Sequence, residues 1–168
     1  MKKETYLNTG KSIHVFNEIE LFLNLIITHH IDPKDKSFFL DYILNTSVIS
    51  FGAKIKILIN LDIFKKAQIK KIRKLSTNRN VFAHTNRDSH FVDEVITNPT
   101  SNSVEIRLKD IILETNAEGK LNKTSYKDFI ENHIILQNEI IDFVSEYIII
   151  NNINTHYNHI ENLKLLKS

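Results

Sequence analysis

The chain has no cysteine among its 168 residues. That excludes disulfide scaffolds, thiolate metal sites and cysteine nucleophiles. Only three glycines and two prolines are present, which argues against collagen, Gly-rich phosphate loops and many-turned β-sandwiches. Neither sign of charge is in large excess: 22 Lys and Arg against 20 Asp and Glu leave a net charge of +2. Such a balance does not announce a nucleic-acid ligand by itself. Long apolar runs are missing too. Residues 19–27 and 140–150 are interrupted by Glu, Asn, Asp or Ser, and neither reaches the roughly 18–20 unbroken residues of a membrane helix. No apolar stretch follows Lys2 and Lys3, so the N-terminus does not read as a secretory signal. The expectation is a soluble, cytoplasmic protein.

What is present is ordinary for a globular domain. The chain is 42% hydrophobic and 25% charged, and its length fits one domain over residues 1–168 with a sizeable core. Ile, Asn and Lys are abundant, as AT-rich codon usage would produce, so the lysine surplus says little about ligands. Arginine is confined to Arg73, Arg79, Arg87 and Arg107. These are more informative, because a planar fork of donors is kept where a lysine does not serve.

Hydrophobic periodicity predicts helices. Val15, Phe16, Ile19, Phe22, Leu23, Ile26 and Ile27 form a stripe over residues 11–30, ended by Ile31-Asp32-Pro33. A second helix over 35–45, capped by Asp35, is expected to bury Phe38, Phe39, Tyr42, Ile43 and Leu44. A third, over 46–61, buries Phe51, Ile55, Leu58 and Ile59 and turns Lys54 and Lys56 to other sides. Gly52 inside it is expected to permit a close helix approach. A fourth spans 65–84, with Ile69, Ile72, Leu75 and Phe82 as its inner side. Beyond it, 91–96 and 103–108 flank Asn98-Pro99-Thr100 and predict a small hairpin or extended excursion; 116–120 reads as a turn. Thr124 caps a long final helix to about residue 150, with Phe129, Leu136, Ile140, Phe143, Val144 and Tyr147 as its core stripe. Residues 151–168 read as a closing helix or a frayed tail. The predicted fold is an all-α bundle carrying a small β insertion, about 86–122, between the fourth helix and the last.

Chemistry concentrates at the end of the fourth helix, in Arg79-Asn80-Val81-Phe82-Ala83-His84. An imidazole gives or takes a proton near neutral pH. A guanidinium grips two oxygens of a phosphate or of a developing phosphorane. The Asn80 amide orients the imidazole or binds the same phosphate. With RNA the 2′-hydroxyl is a built-in nucleophile, so these groups suffice without a metal. Arg79 and His84 lie five residues apart, about 140° around an unbroken helix. Either the helix breaks near Ala83-His84, or the groups converge with copies from a second subunit across a two-fold axis. An Arg and a His near a helix end also have a structural explanation, since His complements the helix dipole there.

The hexapeptide resembles the Arg-Asn-x-x-Ala-His form of the motif of HEPN domains, and 51–61 is similar to the preceding helix in the branch related to the mannitol operon repressor. The resemblance covers roughly residues 10–85. It implies an all-helical, metal-independent endoribonuclease without a cofactor, acting as a toxin or in phage defence, with a homodimeric active-site cleft and 2′,3′-cyclic phosphate products. By the same resemblance His84 is the general acid/base, Arg79 the phosphate-binding group and Asn80 the polar residue shaping the site. A cognate antitoxin protein is a candidate partner. Where one toxin branch has a Tyr that is adenylylated, this chain has Asn86. The repressor branch often lacks an intact Arg–His pair, so the alternative expectation is a non-catalytic module working through protein contacts.

Lesser signals have plainer explanations. The run 65–74 is basic throughout, and Lys70, Lys71, Arg73 and Lys74 are candidate contacts to an RNA backbone, although a solvated face is the usual meaning. His29-His30 with Asp32 do not make a convincing metal site, because adjacent residues point apart on a helix and ligands need to face one another. His156 and His159, three apart, can face one way, but Glu161 is the one acid near them. His133 on the last helix reads as a hydrogen-bonded core histidine.

Overall fold

Phe22 through Thr28 are all buried, which a helix with one apolar stripe lying on a surface would not show. They belong to α1 (Lys2–Ile31) in a computed structural model, which describes residues 2–84, 90–98, 103–115, 120–153 and 167. α1 is enclosed because α3 (Phe51–Asn60), α4 (Lys66–His84), α5 (Tyr126–Ile150) and the segment after α1 all pack around it. The helix starts nine residues before the predicted position and ends at Ile31, where Asp32 takes a left-handed φ of 48° ahead of Pro33. Ile19, Phe22, Ile26, Ile27, Leu58, Ile72, Leu75, Ile140 and Ile141 are among the core side chains sealed from solvent.

The second predicted helix is corrected in kind. Asp35 does cap it, accepting from the Phe38 N–H at 2.8 Å, but α2 (Lys36–Phe38) passes at once into a π-helical turn, Phe39–Ile43. The wider turn shifts the inward face by one position per cycle. Leu40 and Leu44 are therefore buried, while Phe38 and Tyr42, expected inside, stack on each other in the open at 51% and 65% exposure.

α3 is shorter than predicted, because residues 46–49 form turns and Ser50 caps the helix at the Ala53 N–H. Three expectations fail here. Gly52 faces open space, with nothing within 4 Å of where a Cβ would sit. Lys54 is 1% exposed, its ammonium bonded to Glu20 of α1 at 2.5 Å and to Thr46 at 3.2 Å. Ile59, predicted inside, is 40% exposed.

α4 buries Ile69, Ile72, Leu75 and Phe82 as expected. The insertion is larger than a hairpin: β1 (His90–Asn98), β2 (Ser103–Thr115) and β3 (Leu121–Ser125) form an antiparallel meander. A bulge between Val92 and Glu94 shifts the β1–β2 register by one residue. Ile112 of β2 reaches Phe82 of α4 and Phe129 of α5, a small second core that fixes the sheet against the end of α4. Thr124 lies in β3, and the cap of α5 is Ser125, whose hydroxyl accepts from the Asp128 N–H at 3.1 Å. Of the predicted α5 stripe, Phe129, Ile140 and Val144 are buried and Leu136, Phe143 and Tyr147 pack partly buried against the core. The turn at 116–119 and most of the expected closing helix, 154–166, lie outside the described residues. The fold is thus mainly helical with a small sheet. Among the described residues no helix is long and apolar enough to cross a membrane.

Candidate functional site

α4 runs without a break from Lys66 to His84, its last residue, so no break lies between Arg79 and His84. The helix sorts its residues by side. Arg79 follows Ile72 and Leu75 by seven and four residues, which places it on the inner side of α4. His84 follows Thr77 and Asn80 by seven and four residues and Arg73 by eleven, so its backbone position belongs to the outer side, where those three are exposed. The side chain of His84, and residues 85–89 including Asn86 and Arg87, lie outside the described residues.

Arg79 is half-buried rather than splayed into solvent. Its guanidinium carbon sits 5.8 Å from the centroid of Phe16 in α1, a cation–π contact of about 0.5–2 kcal/mol depending on desolvation. Phe16 is itself wedged against Phe51 of α3, with centroids 4.7 Å apart. One terminal nitrogen donates to Asn80 Oδ1 at 3.3 Å, and the Nε is buried without a partner. Among the described residues no carboxylate pairs with this guanidinium. One aromatic and one amide contact thus orient a cation that has no carboxylate partner among the described residues.

The basic run divides between two sides. Lys70 and Arg73 are exposed; Lys70 lies fourteen residues before His84, near its side of the helix. Lys71 faces α5 and pairs with Glu139 at 3.1 Å, a surface pair worth about 0–1 kcal/mol. Lys74 is exposed and bears electrostatically on His133. α4 contains Lys66, Lys70, Lys71, Arg73, Lys74 and Arg79 and no Asp or Glu.

Beside Arg79, on the α5 side, lies a polar pair that the sequence disclosed only in part. His133 is 1% exposed and Asn78 3%, joined at 3.3 Å between His133 Nδ1 and Asn78 Nδ2. The expectation of a hydrogen-bonded core histidine holds for one ring nitrogen. His133 Nε2 and Asn78 Oδ1 have no partner. Phe82 lies 4.8 Å from the imidazole, and burial, aided by Lys74, brings its pKa down to about 4. Asn78 is hidden in sequence by the polar run 76–80; its spacing of three from Leu75 is the signal that marks it as inward.

His30 donates to or accepts from the Tyr147 hydroxyl at 2.7 Å and does not gather with His29 and Asp32 around a common point. Among the described residues no three His, Asp or Glu are grouped to hold a metal ion. His156 and His159 lie outside the described residues. Comparison of the chain with protein-family models, with curated proteins and with solved structures gives no match.

Proposed function

We propose that the protein is a metal-independent endoribonuclease of HEPN type, a toxin or phage-defence effector. The observation that carries this reading is Arg79: an oriented guanidinium with no carboxylate partner among the described residues, near the end of a helix that carries six Lys and Arg and no acid. Such a group meets an anion at little further ordering cost. In the reaction the RNA 2′-oxygen attacks the adjacent phosphorus as His84 accepts its proton. Arg79 stabilises the charge gathering on the phosphorane oxygens, and the 5′-oxygen leaves as it takes up a proton. The products are a 2′,3′-cyclic phosphate and a 5′-hydroxyl. Asn80, hydrogen-bonded to Arg79 and four residues before His84, is the link between the two groups. Lys70 and Arg73 guide the backbone on the outer side, with Lys71 and Lys74 further round toward α5.

Within one chain, Arg79 and the backbone position of His84 fall on opposite sides of α4. The reading therefore includes a homodimer, in which each α4 supplies what the other's geometry withholds. The same placement favours the second reading, a non-catalytic module that uses this face for protein contacts, an antitoxin among them. An assay separates the two. RNA incubated in EDTA with the wild type should be cut to cyclic-phosphate ends, and Arg79→Ala or His84→Ala should reduce the rate at least 100-fold. Equal cleavage by all three proteins removes these residues from the site. Absence of cleavage by the folded wild type, across structured and unstructured RNAs, leaves the binding module.

A further inference from the structure

One row of α4 positions runs straight along the helix. Counting back from His84, Asn80, Thr77, Arg73, Lys70 and Lys66 recur at alternating four- and three-residue spacing. At roughly 100° per residue that keeps each of them within about 40° of the direction of His84. The five that precede His84 are exposed. What they offer outward is almost entirely donors. Among the described residues Lys66, Lys70 and Arg73 pair with no carboxylate, whereas Lys71, one position further on, is neutralised by Glu139 at 3.1 Å. The Asn80 oxygen accepts from Arg79 at 3.3 Å, which leaves its amide N–H groups to offer. The Thr77 hydroxyl donates to the Arg73 carbonyl at 3.2 Å and so serves the helix itself. No acid and no aromatic ring stands in the row. From Lys66 to His84 it spans about 27 Å, with one group for each turn of about 5.4 Å.

We infer that this row is the track of a single RNA strand, gripped through its phosphates over about five nucleotides to one side of the bond that is cut, with no reading of bases by this face. The inference deepens the ribonuclease reading and rests on it for the place of the cut. Charge decides the class of ligand: cations without partners and free N–H donors match a run of phosphates. Spacing decides its form. One group per turn keeps pace with successive phosphates of one extended strand, while a duplex is held across its minor groove, which needs donors in more than one row. The missing aromatic decides specificity, because a strand without a ring to stack on is held by its backbone alone, and phosphate contacts carry no sequence information. Since the row ends with α4 at His84, the grip along this helix lies wholly to one side of the scissile phosphate.

The test is an anisotropy titration of the full chain with fluorescent 2′-O-methyl RNAs, which lack the nucleophilic hydroxyl and cannot be cut. Affinity for oligouridylate should rise steeply up to about six nucleotides and little beyond. Oligoadenylate should match it within about threefold, and a duplex of the same length should bind at least fivefold more weakly. Each phosphate contact contributes about −0.7 to the slope of log affinity against log salt, so Lys66→Gln, Lys70→Gln and Arg73→Gln together should flatten that slope by about 2. The same triple variant should bind at least tenfold more weakly, while Lys34→Gln, at an exposed lysine outside α4, should change neither quantity. An affinity untouched by the triple substitution, tighter binding of the duplex, or equal displacement of the RNA by oligoglutamate, the mark of an acidic protein partner, would each overturn the inference. The nuclease reading fails separately. Binding along the row with no cleavage of ordinary RNA would keep the track and remove the enzyme. Cleavage of subsaturating RNA by the triple variant at the wild-type rate would keep the enzyme and remove the track.

Discussion

Protonating His133 places a charge among Phe82 and Phe129, with Lys74 adding repulsion, and that has a measurable consequence. Its folded pKa is near 4, against about 6.5 for a free imidazole, so between those values the unfolded chain holds a proton that the native one refuses. Stability therefore falls as pH drops below about 6.5, and the loss levels off below about 4 at roughly 3 kcal/mol. His30 is also lowered, by burial and by His29, and acts in the same direction. The clean measurement is thus a difference. Urea unfolding of the wild type and of His133→Leu at pH 7 and pH 5 should show a smaller acid loss in the variant by about 1–2 kcal/mol. Equal losses would place the titration elsewhere. Such a residue could be recognised from its position on the apolar stripe of α5, but its partner could not: the pairing with Asn78 spans 55 residues and depends on how α4 and α5 are rotated against each other.

Among the elements, α1 and α3 are joined by one buried ion pair, and its removal in halves tells what it does. Lys54→Met leaves the Glu20 carboxylate largely sealed from water without its cation, and should cost about 3–5 kcal/mol in denaturant midpoint experiments. Replacing both, Glu20→Leu with Lys54→Met, should restore most of that loss, since an apolar pair of similar volume removes the desolvation penalty. A double variant no more stable than the single one would mean that the pair contributes more than mutual neutralisation. This pair also marks where sequence periodicity stopped being informative. Ile69, Ile72, Leu75 and Phe82 identified the inner side of α4 because regular helix geometry repeats every 3.6 residues. The π-turn at 39–43 breaks that repeat, so Phe38 and Tyr42 were assigned inward and Leu40 was not. Lys54 was assigned outward by residue type, although Glu20, a charge within the apolar run 19–27, was the clue to a buried partner. The third strand is not legible in sequence because Leu121–Ser125 is short and polar, and it exists by pairing with Ile111–Thr115 rather than by its own pattern.

For the molecule as a whole, the proposed chemistry turns on what faces the end of α4. The motif is legible in sequence as six adjacent residues, and its spacing already sets Arg79 and His84 about 140° apart; what the sequence does not say is that Arg79 is the one drawn inward over Phe16. With Arg79 on the inner side of α4 and the backbone of His84 on the outer side, the proposed chemistry makes a prediction about assembly. The wild type should sediment as a dimer at the concentrations at which it cuts RNA. Co-expressed Arg79→Ala and His84→Ala chains, purified as the mixed dimer, should regain part of the cleavage that each homodimer lacks, because one chain still supplies the guanidinium and the other the imidazole. A monomer in the sedimentation experiment sinks the shared-site geometry. A mixed dimer as inactive as its parents, formed by an active wild type, would mean that each chain completes its own site, and the side chain of His84 would then have to turn back around the helix toward Arg79.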